Sequence, residues 1–227
     1  MTRAFPPKKL PLMKKYEYIL WDFNGTILDD VQTGIDSVNF LLSNRGLPEI
    51  PTKEVYRSVF GFPIRDYYGR LGFDFSKEPY ETVAVEWVEQ YLMRVKEAPL
   101  CPGVLDALIF FRENGIPQSI LSATKLEMLE GQLRDLGIRG YFDEVMGLDN
   151  IYATSKEALA LSWKARYPHV QAVMIGDTIH DFEVAQAMGI DCVLIAGGHQ
   201  PVDVLAGCGC PVFGNLDEFC VRLWYNA

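Results

Sequence analysis

Five residues carry the chemistry this sequence advertises: Asp22, Ser122, Lys156, Asp177 and Asp181. Asp22 ends the apolar run 16–21 and runs into a turn marked by Asn24-Gly25, Ser122 ends the run 118–121, and Asp177 follows the run 172–175 and Gly176. Short apolar runs of this kind read as buried strands, and open α/β sheets place their sites outside the C-terminal ends of such strands. Lys156 stands near the start of the helix expected before the run 172–175, and Asp181 lies four residues past Asp177. Singly, each has an ordinary reading: turn or helix caps for Asp22, Ser122 and Asp181, a solvated side chain for Lys156. Around one crevice, three carboxylates, a hydroxyl and an ammonium make a poor structural core. They suit a divalent cation and a phosphate, because Mg²⁺ takes hard oxygen ligands, commonly one or two carboxylates plus substrate phosphate.

The elements that must hold these groups follow from periodicity and punctuation. After the first strand, residues 29–43 have helical spacing, closed by Gly46 and Pro48. Helices are expected at 54–60, 64–71 and 79–96, so 33–97 reads as all-helical, bounded by Pro99 and Pro102-Gly103. Beyond it helices at 104–113, 125–136, 155–167, 182–188 and 217–224 alternate with strands at 118–122, 141–146, 172–175, 191–195 and 212–213. Thr154 or Ser155 is expected to cap the helix at 155. Alternation of this kind predicts an α/β fold, a doubly wound parallel sheet, joined by a second, smaller, all-helical domain. The expected division is a core at 16–32 and 98–227, a helical insert at 33–97 and a loose basic tail at 1–15, in which Met13 offers a second start.

Composition narrows the partners. A chain of 227 residues, 49% apolar and 22% charged, is globular with a substantial core. Its net charge of −9 and pI of about 4.9 leave no basic surface for nucleic acid or anionic lipid. An anionic ligand must therefore meet cations placed locally in the site. Five scattered cysteines argue for a reducing cytoplasm over a disulfide frame, and Cys208-Gly-Cys210 is too tight, and lacks the second pair, for an ordinary metal site. No apolar run reaches a membrane span, and no apolar signal core opens the chain.

The motifs in order, Asp-Phe-Asn-Gly-Thr at 22–26, Ile-Leu-Ser at 120–122, Lys156, and Ile-Gly-Asp-Thr-Ile-His-Asp at 175–181, resemble the four motifs of the haloacid dehalogenase superfamily. The helical block resembles the cap that its phosphoglycolate-phosphatase-like branch inserts after the first motif. The resemblance implies a Mg²⁺-dependent phosphatase acting on a small phosphorylated metabolite, with Asp22 as nucleophile. It implies Mg²⁺ held by Asp22, the backbone carbonyl of Asn24 and Asp177, with Asp181 in the metal shell. Ser122 and Lys156 contact the phosphoryl group, and Thr26 supports the loop. Substrate contacts are assigned to Thr26, Arg65, Ala123 and Lys125, Arg65 because the turn at Gly61 and Pro63 would aim its guanidinium at an anionic group. A cytoplasmic monomer or homodimer is expected.

One position departs from the family pattern. A second aspartate usually stands two residues after the nucleophile and serves as acid and base; here it is Asn24. A carboxamide hydrogen-bonds but does not exchange a proton as an acid or base, a loss of about 10²–10⁴-fold in rate. Three readings follow: a phosphatase that is slow or prefers good leaving groups; another acid, with His180, Asp29 or an insert residue as candidates; or a fold that binds a phosphorylated ligand or partner without turnover. A metal-free dehalogenase and a phosphonate hydrolase using Lys53 rank below these. The Asn24-Gly25 pair also invites deamidation to a carboxylate.

Overall fold

The computed structural model describes residues 16–152 and 155–224, the last four by backbone alone. The tail expected at 1–15, with Met13, and the cap expected at Thr154 lie outside these residues. The chain begins with β1 (Tyr18–Trp21), followed by α1 (Val31–Asn44), α2 (Lys53–Val59), α3 (Ile64–Arg70) and α4 (Tyr80–Arg94). Then come α5 (Val104–Glu113), β2 (Gln118–Lys125), α6 (Leu126–Asp135), β3 (Glu144–Leu148), α7 (Glu157–Arg166) and β4 (Ala172–Gly176). The remainder is α8 (Ile179–Met188), β5 (Asp191–Ile195), α9 (Val202–Ala206), β6 (Val212–Phe213) and α10 (Leu216–Trp224).

The six strands form one sheet in the order β3-β2-β1-β4-β5-β6, every pairing parallel. Side chains of a strand alternate between faces, and the buried residues of β1 do so. Ile19 and Trp21 pack with Val104, Leu108 and Phe111 of α5 and Leu129 of α6. Tyr18 and Leu20 pack with Trp163 of α7 and Val184 and Met188 of α8. Helices thus cover both faces, and each fully buried large apolar side chain stabilises by about 1.5–3 kcal/mol. The expected doubly wound α/β fold is present. Trp21 Nε1 donates to Gln118 Oε1 at 3.0 Å, and Gln118 Nε2 donates to Leu108 O at 3.0 Å, tying β1, β2 and α5 together through buried polar groups.

Between β1 and α5 the described residues form no strand, only helices, turns and the isolated bridges Asn24–Leu28 and Leu28–Leu100, and α1, α2, α3 and α4 bury an apolar cluster of their own, including Ile35, Leu41, Tyr56, Tyr67 and Val83. Elsewhere the boundaries shift where local chemistry overrides periodicity. β2 runs three residues past Ser122, because its pairing with β3 changes register between Leu121 and Lys125. α8 starts at Ile179, earlier than expected. Thr178 accepts from the Asp181 backbone N–H while Asp181 accepts from that of Thr178, a reciprocal cap. The short helix α9 escapes a periodicity reading altogether. All five cysteines are free, and no helix among the described residues is long and apolar enough to cross a membrane.

Candidate active site

The sheet order reverses between β1 and β4, the crevice where open α/β sheets bind ligands. Trp21 stands level with Ile120 on one side and Ile175 on the other, so the chain leaves β1, β2 and β4 at one height. Asp22 N–H donates to Ile175 O at 2.8 Å, which holds the acid at the switch point. Past it the chain folds back: Ile27 and Leu28 N–H both donate to Phe23 O at 2.9 Å. Gly25 makes that turn at φ +76°, and a Cβ there would collide with the Asp177 carboxylate and the His199 ring. Gly25→Ala is expected to cost at least ~2 kcal/mol, since the left-handed conformation alone costs about 1–2 kcal/mol for an L-residue; the shift of a urea unfolding midpoint measures it.

Lys156 lies fully buried among the acids. Its ammonium donates to Asp22 Oδ1 and Asp181 Oδ1, both at 2.5 Å, and to Leu121 O at 3.0 Å, so all three protons are used. Burial alone would lower its pKa, but the two carboxylates outweigh it and hold the lysine charged. Asp22 is pushed well above the carboxylate range by burial and by repulsion from Asp181. Burial also lifts Asp177 to about 6. Asp181 goes the other way, burial being outweighed by Lys156 and by the hydrogen bonds of Thr178. Asp22, Asp177 and Asp181 each place an oxygen within 4.8 Å of the others. Asp181, however, already accepts from Lys156 on one oxygen and from the Asp177 and Thr178 N–H groups and the Thr178 hydroxyl on the other. Asp177 accepts one bond on each oxygen, from Thr26 Oγ1 and from His199 N–H, so each oxygen keeps a lone pair for a cation, as does Asp181 Oδ1. Asp22, Asp30, Asp177 and Asp181 are all buried, against Lys156 and the buried His199. An excess of buried negative charge with hard oxygen donors fits a divalent cation.

Asn24 is held on every side. Its Nδ2 donates to Asp30 Oδ2 at 2.8 Å and to the Tyr91 hydroxyl at 2.9 Å, and its Oδ1 accepts from Thr124 Oγ1 at 2.7 Å. Asp30 also accepts from Tyr91 Oη at 2.8 Å and Gly25 N–H at 2.9 Å, and lies 3.3 Å from His199 Nε2. Burial opposes ionisation of both Asp30 and His199, but their mutual attraction prevails: Asp30 falls below its usual range and His199 rises to about 9. The imidazolium spans to the helical segment, with His199 Nδ1 2.8 Å from the Tyr56 hydroxyl. The N–H of Gly25 is committed to Leu28 O and Asp30 Oδ1. It is poorly free to attack the Asn24 side chain, so the expected deamidation is disfavoured here.

The structure gathers most, but not all, of the expected residues. Asp22, Asn24, Ser122, Ala123, Lys125, Lys156, Asp177 and Asp181 line one cavity of about 150 Å³. Ser122 Oγ accepts from Thr124 N–H at 3.1 Å. Thr26 sits behind, donating to Asp177 Oδ1 at 3.1 Å. Lys125 leans toward Glu127 at 2.9 Å. Arg65 is the exception: it is exposed, with its guanidinium 5.3 Å from the Phe75 ring centre, and does not line the cavity. The aromatic face of Phe75 attracts the cation away from the crevice. Lys53 and Asp29 also lie outside the cavity lining, whereas His180 lines it. His199, Asp30, Tyr56 and Tyr91 were not anticipated. His199 could have been found from its place in the Gly197-Gly198-His199 loop after β5, another C-terminal strand end beside the same crevice.

Comparison with known proteins agrees with this architecture. Residues 19–195 match the family model described as haloacid dehalogenase-like hydrolase. The chain is 28% identical over 219 residues to the phosphoglycolate phosphatase of Caulobacter vibrioides, covering 90% of this chain and 91% of that one. It is 27% identical to the phosphoglycolate phosphatase of Rhodobacter capsulatus, covering 82% and 88%. Among solved structures, a haloacid dehalogenase-like family hydrolase from Streptococcus pneumoniae superposes with a TM-score of 0.78 at 21% identity, over 91% of this chain and 98% of that one.

Proposed function

The chain belongs to the haloacid dehalogenase-like hydrolase family, and on that premise we propose that it is a Mg²⁺-dependent phosphatase of small phosphate monoesters that works through an aspartyl phosphate on Asp22. One observation carries the reading: a buried lysine bridges Asp22 and Asp181 beside Asp177 at the switch point of the sheet. A bare carboxylate repels a phosphate dianion, and fixed positive charge must offset that repulsion before attack. Asp22, Asp177 and the backbone carbonyl of Asn24 are the proposed holders of Mg²⁺, which supplies Lewis-acid charge to the phosphoryl oxygens. Asp181 keeps Lys156 in place, and Ser122 hydrogen-bonds the phosphoryl group. Residues 33–97 act as the cap that closes over the bound ester.

In the first half-reaction an Asp22 oxygen forms a bond to phosphorus as the ester P–O bond breaks, and the leaving group departs with the electron pair. Water then attacks phosphorus, restoring the Asp22 carboxylate and releasing phosphate. Splitting the displacement in this way lowers each barrier. The test is single turnover in ¹⁸O-water with Mg²⁺ or with EDTA. Expected is phosphate release only with Mg²⁺, the label in phosphate and none in the Asp22 peptide. Label in Asp22 would mean that water attacks the carboxyl carbon, as a dehalogenase requires, and no release from any ester would leave a binding protein.

A further inference from the structure

The part of the cavity wall contributed by residues 31–97 is largely aromatic and carries no charged side chain. The residues contributed from 31–97 include Tyr56, Phe60, Tyr67, Tyr80, Trp87 and Tyr91, and not one Lys, Arg, His, Asp or Glu. Of the cations that line the cavity, Lys156 is held by Asp22 and Asp181 and His199 by Asp30 inside the protein, while Lys125 turns to the exposed Glu127. A substrate whose leaving group bears a carboxylate, such as 2-phosphoglycolate, would present that charge to rings. The rings already interact with one another, Trp87 with Tyr91 at 4.8 Å and Phe60 with Tyr67 at 5.2 Å, which leaves a wall suited to one more aromatic partner.

Two polar atoms mark where such a ring would carry a substituent. Tyr67 Oη and His180 Nε2 are buried with no hydrogen-bond partner among the described residues, and both residues line the cavity. Buried polar groups are rarely left unpaired, and a ligand hydroxyl or carbonyl would satisfy them. A third observation concerns departure. The Asn24 amide is tied to Asp30, Tyr91 and Thr124 and has no proton to give. An aliphatic alkoxide leaves poorly without a proton donor, whereas a phenol ionises near pH 10 and leaves as phenolate.

We propose that the substrates are aryl phosphate monoesters whose ring carries a hydrogen-bonding substituent, recognised by the aromatic wall and released as the phenolate. The inference rests on the phosphatase reading and deepens it. Phenyl phosphate, acetyl phosphate and 2-phosphoglycolate separate the two: the first has the ring, the second a good leaving group without a ring, the third neither. Expected with Mg²⁺ is a kcat/KM for phenyl phosphate at least about tenfold above acetyl phosphate and 10²-fold above 2-phosphoglycolate. Trp87→Ala should cut the phenyl-to-acetyl ratio about tenfold. Tyr67→Phe, which removes only an unpaired hydroxyl, should retain the fold and lower kcat/KM for 4-hydroxyphenyl phosphate more than for phenyl phosphate. Turnover of acetyl phosphate or 2-phosphoglycolate equal to or above that of phenyl phosphate overturns the aryl assignment while keeping the phosphatase. Equal losses on phenyl and acetyl phosphate in Trp87→Ala overturn it too. Phosphate release from none of the three overturns both.

Discussion

Asp22→Asn is expected to lose turnover by roughly 10⁴-fold or more, the scale on which removal of a covalent nucleophile acts, and to raise the melting temperature of the metal-free protein. The two effects share one cause. Asp22 is held in a buried cluster where Asp177 and Asp181 repel it and one lysine attracts it. Burial and the Asp181 charge push its pKa well above the ordinary carboxylate value of 3.8, so folding disfavours the ionised form. An amide of the same shape still accepts from Lys156 but carries no charge. The sign follows from proton linkage: a carboxyl raised in the folded state destabilises at pH values above its folded pKa, and the penalty fades as pH falls toward 3.8. Melting curves in EDTA should therefore show the variant ahead of the parent at pH 8, with the difference shrinking toward pH 4. A variant less stable than the parent at pH 8 would contradict the charge account.

Asn24→Asp is expected to split by context. Alone, it places a carboxylate oxygen where Nδ2 now lies, 2.8 Å from Asp30 Oδ2. Two buried carboxylates at that distance do not both ionise, so the single variant should lose stability and gain little activity. Paired with Asp30→Asn, the carboxylate is moved, not added, and the amide at position 30 can donate to it. The double variant is expected to gain about 10²–10⁴-fold on alkyl phosphates such as 2-phosphoglycolate, or roughly 3–5 kcal/mol of barrier at 1.36 kcal/mol per decade. Phenyl phosphate should gain far less, because phenolate needs little protonation. A flat response on alkyl esters in a folded double variant would mean that another group, such as His180, already supplies the proton.

The placement of Asp22 and Asp177 was legible because each ends an apolar strand, and the parallel alternation that positions those strands is written in local periodicity. Lys156 was legible only by its place in the order of motifs. The network around Asn24 was not, because it is assembled from distant segments. Tyr91 sits on a helix that shows only an amphipathic face, Tyr56 lies 143 residues from His199, and packing across the strand ends brings them together. Asp30 looked like the start of a helix and is instead the acceptor around which four donors gather. Arg65 shows the opposite failure. The turn before it is local and legible, but the guanidinium lies by the ring of Phe75, a partner that the turn does not specify. Backbone rules carry one element's direction; they do not choose among competing side-chain partners.

The helical segment is fastened to the sheet through the catalytic crevice itself. Tyr56 meets His199, Tyr91 meets Asp30, and Arg57 donates to the carbonyls of Gly198 at 2.8 Å and Gly197 at 2.5 Å. Any movement of the segment away from the sheet has to break these bonds, of which the two tyrosine contacts are buried and the Arg57 contact with Gly197 is exposed. Water competes for the exposed guanidinium contact and not for the buried tyrosine pairs, so the segment is anchored most firmly where it meets the acids and least firmly at its rim.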